Sequence, residues 1–224
     1  MREIVFDTET TGLSPKTERL VEIGCVEVIN NKPTGREFQA YCHPETTIVG
    51  AEAYDVHKIS MEFLKDKPYF RDIVGDFLEF VGDATLVAHN ARFDMGFVNM
   101  ELRRLGKKEI SKERVKDTLW LARKKFPELG RHNLDFLCNH MGIDKTEREE
   151  KGHGALLDAQ ILTEVYYNLI FDKEQKLFGK TEKKIKTSNT AEKTFREPRS
   201  FPVNENDNQN HRSFLETIKN ALWE

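Results

Sequence analysis

Cysteine is scarce in this chain: Cys25, Cys42 and Cys138 are the only three in 224 residues, and no Cys-x-x-Cys pair occurs. An odd, widely scattered set is not the pattern of a disulfide framework, and it fits a reducing compartment. Long apolar runs are missing too. No stretch of 18 apolar residues exists, and the N-terminus carries no basic segment followed by an apolar core of signal-peptide length. A soluble, cytoplasmic protein with no membrane contact is therefore expected. Charge of one sign is not in excess, since 35 Lys/Arg stand against 38 Asp/Glu for a net charge of -3 and a pI near 6.2. That balance excludes a generally basic nucleic-acid coat. It is uneven, however: residues 1–170 hold 24 Lys/Arg and 29 Asp/Glu, while 171–224 hold 11 and 9. A polyanionic partner has to be met locally.

What is present is a clear alternation of elements. Ile4-Val5-Phe6 opens as a strand, Arg19–Ile29 is rich in β-branched residues, and Arg36–Cys42 alternates, with a turn signal at Asn30-Asn31-Lys32-Pro33-Thr34-Gly35. Apolar residues then recur at helical spacing from Pro68 to Val81, followed by a short buried strand, Thr85–Ala88. Phe93–Leu105, Thr118–Phe126, Leu134–Met141 and Ala155–Ile170 read as helices. Antiparallel strands followed by helices alternating with short strands predict an α/β domain with a mixed sheet over residues 1–171. Residues 172–210 are Lys-rich, then Asn- and Pro-bearing, and read as a flexible polar linker. From 211 to 224, Phe214, Leu215, Ile218, Leu222 and Trp223 form one apolar stripe. A helix this short is marginal alone in water, so the segment is expected to dock, either on its own domain or, given the polar tether, on a partner protein.

Carboxylates stand out at three places. Asp7 and Glu9 lie two apart in a strand and so project from one face. At about 5 Å and an effective dielectric of about 20 they repel by roughly 3 kcal/mol, a cost that solvent or a divalent cation has to relieve. Asp94 falls in the first turn of a helix entered through Val87-Ala88-His89-Asn90, where a carboxylate also complements the helix dipole. Asp158 lies beside the stripe Leu157, Ile161, Leu162, Val165 and Leu169. His153, five residues earlier, is 140° away from it on a helix, so it is expected on a loop between Gly152 and Gly154.

The segments Asp7-Thr8-Glu9-Thr10-Thr11-Gly12-Leu13, His89-Asn90-Ala91-Arg92-Phe93-Asp94 and His153-Gly154-Ala155-Leu156-Leu157-Asp158, in this order, resemble the three motifs of the DEDDh 3′→5′ exonucleases, and especially the proofreading members that serve a replicative DNA polymerase. The resemblance implies an RNase H-like fold and two Mg²⁺ or Mn²⁺ ions held by Asp7, Glu9, Asp94 and Asp158, with His153 as general base. A frayed or single-stranded DNA 3′ end is the implied substrate. Hard oxygen donors and a two-metal clamp suit phosphodiester cleavage. It also implies nucleotide contacts from Thr10, Leu13, Glu52, His57 and Phe93, although Lys58 replaces the glycine usual after His57. By the same resemblance the C-terminal segment anchors the polymerase catalytic subunit, and Gln175-Lys176-Leu177-Phe178 is similar to a sliding-clamp-binding peptide.

Other patterns are weaker. Gly179-Lys180-Thr181 lacks the upstream glycine of a phosphate loop, because position 174 is Glu. Cys138, His140 and His132 lack a fourth ligand for zinc. Two alternatives remain on the residues alone: a free-standing DEDDh nuclease trimming RNA or short oligonucleotides, and an inactive scaffold that only binds a polymerase. The apolar C-terminal stripe argues against the first. The complete set of four acids and a histidine argues against the second.

Overall fold

The computed structural model describes residues 1–171 and 204–216. Within 1–171 five strands form one mixed sheet: β1 (Arg2–Thr10), β2 (Leu20–Ile29), β3 (Lys32–Tyr41), β4 (Thr85–Ala88) and β5 (Val115–Asp117). Their spatial order is β3-β2-β1-β4-β5. β1, β2 and β3 form an antiparallel meander, and β4 and β5 add in parallel on the far side of β1. The tight β2–β3 turn is made by Asn30 and Asn31, both with positive φ, a conformation asparagine tolerates.

Helices α1 (Ala51–His57), α2 (Met61–Leu64), α3 (Phe70–Val81), α4 (Ala91–Arg104), α5 (Thr118–Lys125), α6 (Leu134–Met141), α7 (Thr146–Lys151) and α8 (Ala155–Ile170) complete this unit. The expected strands and helices are present, Thr85–Ala88, Leu134–Met141 and Ala155–Ile170 with the expected bounds and the others with ends shifted by a few residues. α1, α2, α7 and β5 are additions to them, all short. β5 has three residues, too few to show alternation, and α7 (TEREEK) has no apolar residue from which a period could be read.

Strand alternation divides the core. Ile4 and Phe6 face one side with Phe77, Val74, Leu86, Val98 and Leu102, beneath α3 and α4. Val5 faces the other with Val28, Val87, Leu137, Leu162 and Val165, beneath α6 and α8. Asp7 and Glu9 share the parity of Val5, so the acidic end of β1 turns toward α8. The three cysteines are buried and unpaired. No helix among the described residues is long and apolar enough to cross a membrane.

Helix α9 (Glu205–Glu216), outside that unit, opens where Asn204 Oδ1 accepts from Asn206 N at 3.0 Å. It begins inside the stretch expected to be linker, because asparagine caps a helix start well. Phe214 is 62 % exposed on it. The expected linker from 172 to 203, the 175–178 peptide and Ile218, Leu222 and Trp223 lie outside the described residues, as does the side chain of Leu215.

Candidate active site

β1 delivers the first two acids. Asp7 pairs in register with Gly24 of β2, and Glu9 with Glu22. Gly24 lets α8 approach: a Cβ there would stand 2.1 Å from the backbone nitrogen of Leu156 and 2.3 Å from the carbonyl carbon of Ala155. The first turn of α8 thus sits directly on β2, and Asp158, in that same turn, comes down beside Glu9. The start of α8 has no side-chain cap of its own. Glu22 supplies one from the strand, its Oε2 accepting from Ala155 N at 3.0 Å while Oε1 accepts from Gln39.

Asp94 arrives from the opposite side of the sheet. Asn90, at φ +63, turns the chain from β4 into α4, and Asp94 in the first turn accepts from Thr8 Oγ1 at 2.8 Å. His153 occupies the loop between α7 and α8, as its glycine neighbours suggest, with Gly152 at φ +83. Its backbone nitrogen donates to Val56 O at 3.3 Å, which ties the loop to α1. Glu9, His153 and Asp158 each offer a ligand atom within 4.8 Å of the others.

Electrostatics mark this cluster as deficient in positive charge. Burial and the neighbouring Asp94, Glu9 and Asp158 push the Asp7 carboxyl well above its ordinary range. Burial, then Asp158, Glu22 and Asp94, lift Glu9 to about 9. Burial lifts Asp94 to about 7 against the hydrogen bond from Thr8. Burial lowers His153, and Arg148 adds to that, so the ring is neutral near pH 7. A group of buried oxygen donors that resists simultaneous ionisation fits a divalent cation, which would restore the charged forms.

The nearby cleft, about 790 Å³, is lined by Thr10, Leu13, Glu52, His57 and Phe93 together with Thr8 and Glu9. Leu13 is 79 % exposed at its mouth, on a loop held by Arg104 through the carbonyls of Pro15, Lys16 and Glu18. Phe93 packs beside Phe97 at 5.1 Å between ring centroids. Two of these residues already carry hydrogen bonds of their own. His57 Nδ1 accepts from Ile59 N and its Nε2 donates to Thr10 O, so both ring nitrogens are spent on backbone. Thr10 Oγ1 is likewise used on Gly12 O. The Thr10 hydroxyl, having donated, keeps lone pairs that can still accept. Lys58, in place of the glycine, takes up the left-handed backbone at φ +58, so α1 ends as a glycine would end it.

Not foreseen were Glu22, Gly24 and Arg148. The even-numbered residues of β2, with a glycine facing the acidic end of β1, carry a readable signal for the first two. Arg148 in a charged hexapeptide carries none.

Residues 4–166 match the model of the exonuclease family. The DNA polymerase III subunit epsilon of Rickettsia felis is 42 % identical over 227 residues, covering 97 % of each chain. The chain belongs to the exonuclease family, among its epsilon subunits. The Salmonella typhimurium epsilon subunit is 48 % identical over 174 residues, covering 74 % of this chain and 70 % of that one. A solved structure of exonuclease X in complex with 5′-overhanging duplex DNA superposes with a TM-score of 0.59 at 25 % identity, covering 75 % of this chain and 90 % of that one. The fold is thus the α/β RNase H-like one, and membership of the family implies a divalent-metal-dependent 3′→5′ exonuclease.

Proposed function

We propose that this epsilon-family chain proofreads for a replicative DNA polymerase, removing mispaired 3′-terminal nucleotides as deoxynucleoside monophosphates. The observation that carries this reading is the meeting of Glu9, His153 and Asp158, drawn from opposite ends of the unit, next to a cleft of nucleotide size. Asp7, Glu9, Asp94 and Asp158 would hold two Mg²⁺ or Mn²⁺ ions, which when bound supply Lewis-acid stabilisation to the scissile phosphate.

The chain's own residues do the rest. The exposed Leu13 wedges beneath the terminal base, and Phe93 offers a ring on which a base can stack. Glu52, exposed on α1 at the cleft wall, is placed to accept from the terminal sugar or base. His153, neutral near pH 7, takes the proton of the attacking water, and its loop between two glycines lets it approach and withdraw. Selectivity follows from fraying: a mismatched end unpairs at lower cost and reaches a single-strand cleft more often.

The C-terminal segment, of which α9 with its exposed Phe214 is the described part, would carry the chain to the polymerase catalytic subunit. Residues 175–178 would add a sliding-clamp contact. The deciding experiment incubates the chain with 3′-labelled single-stranded DNA. Shortening from the 3′ end should require a divalent cation and vanish in Asp7→Ala, and cleavage in excess EDTA would refute the reading.

A further inference from the structure

Arg148, on α7, enters the acidic cluster itself. Its side chain is 7 % exposed and forks onto both oxygens of Asp158, Nε to Oδ1 at 2.6 Å and Nη2 to Oδ2 at 3.0 Å. Nη1 donates to Asp135 on α6. Nη2 also lies 3.0 Å from His153 Nδ1. A guanidinium has donors only, so this last contact is a hydrogen bond only when Nδ1 is bare. The neutral His153 ring then carries its proton on Nε2. In that state neither ring nitrogen can take a proton from water: one lone pair is engaged, and the other nitrogen is already protonated.

The same fork sets Asp158 against a second cation. Asp158 belongs with Glu9 and His153 to the group whose ligand atoms converge, and both of its oxygens already face a full positive charge. A divalent ion brought to these oxygens meets the guanidinium at close range, with little water to screen the repulsion. α7 is built to yield. Arg148 is its only buried side chain among the described residues, and Lys145 at its start provides no cap. Ion pairs tie it to α6 and α8, Lys145 to Asp135 and Arg148 to Asp135 and Asp158, while Lys145 and Glu149 pair along the helix itself. Gly152 and Gly154 follow at its end, so the helix can shift without opening the core.

We propose that Arg148 is an intramolecular counter-cation competing with divalent metal for Asp158, and that its withdrawal from Asp158 also releases the Nδ1 of His153. Metal loading and readiness of the base are then one coupled event. This rests on the metal-site reading given under the proposed function.

The test uses the full chain. Mn²⁺ uptake is measured by calorimetry for the wild type, R148Q and R148K, and the His153 imidazole is followed by ¹⁵N NMR as Mg²⁺ is added. Two cations competing for one carboxylate are reciprocally coupled, so R148Q should bind Mn²⁺ at least about tenfold more tightly. R148K keeps the charge but loses the fork, and should bind a few-fold more tightly, which a bystander charge would not produce. In the wild type His153 should start as the Nε2–H tautomer with a hydrogen-bonded Nδ1, and Mg²⁺ should abolish the Nδ1 bond. Equal or weaker Mn²⁺ binding by R148Q would overturn the proposal and make Arg148 a brace of the loaded site. Should R148Q fail to fold, R148K decides, and affinity no higher than wild type would overturn it. Absence of Mn²⁺ uptake by all three proteins would remove the metal-site reading as well, whereas uptake in the reversed order removes only the competition.

Discussion

Replacing Gly24 by alanine would test how α8 is seated. The added methyl carbon would lie 2.1 Å from Leu156 N and 2.3 Å from Ala155 C, both backbone atoms that no rotamer change can move away. Non-bonded heavy atoms rest at about 3.5–4.0 Å, so the first turn of α8 has to retreat by more than about 1 Å or β2 has to bend. That turn carries the Ala155 N–H bonded to Glu22 and Asp158 itself, with His153 just before it. A misplacement of about 1 Å in reacting groups costs on the order of 10²-fold in rate, and overpacking costs about 1–3 kcal/mol. For a chain of this size each kcal/mol lowers the melting temperature by roughly 2–4 °C. Gly24→Ala should therefore melt roughly 2–12 °C lower and release mononucleotides from single-stranded DNA about 10²-fold more slowly. Native melting together with unchanged turnover would show that α8 does not rest on β2 as described.

His153→Ala should lower turnover by about 10²–10⁴-fold while Mn²⁺ affinity stays within a few-fold of wild type, since a base is lost and the carboxylates are kept; a collapse of metal binding in calorimetry would make His153 a ligand instead. Glu9 and Asp94 are raised to about 9 and about 7, above their ordinary range near 4, so these two groups hold more protons folded than unfolded, while His57, His89 and His153, lowered by burial, act in the opposite sense below about pH 6.5. In EDTA the melting temperature should fall as pH rises from about 7 to 8.5, beyond the histidine range, and saturating Mg²⁺ should flatten that slope; a rise with pH there would contradict the charge-deficient cluster. Lys58→Gly should stabilise the domain by about 1 kcal/mol, because a left-handed backbone at φ +58 strains a residue with a Cβ; a lower melting temperature would show that the stem of Lys58, which leans toward Gly152, matters more. Deleting residues 196–224 should leave hydrolysis intact and abolish co-purification with a polymerase chain, and unchanged association would place the contact elsewhere.

The common face of Asp7 and Glu9, the helical stripe beside Asp158 and the loop position of His153 were legible in the sequence. Each follows from a local period, 2.0 in a strand or 3.6 in a helix, or from glycines flanking one residue. The motif order carried the fold class as well. The tertiary structure alone decided which partners those residues meet. Thr8 bonds Asp94 because β4 lies beside β1 and sends α4 back over the sheet end. Glu22 caps α8 because Gly24 lets the helix touch β2. His57 spends both nitrogens on backbone because α1 ends against Thr10. Arg148 reaches Asp158 because the loop before α8 folds α7 over the acids. Periodicity is a property of neighbouring residues along one element. Contacts between elements depend on strand order and close approach, which no local period encodes.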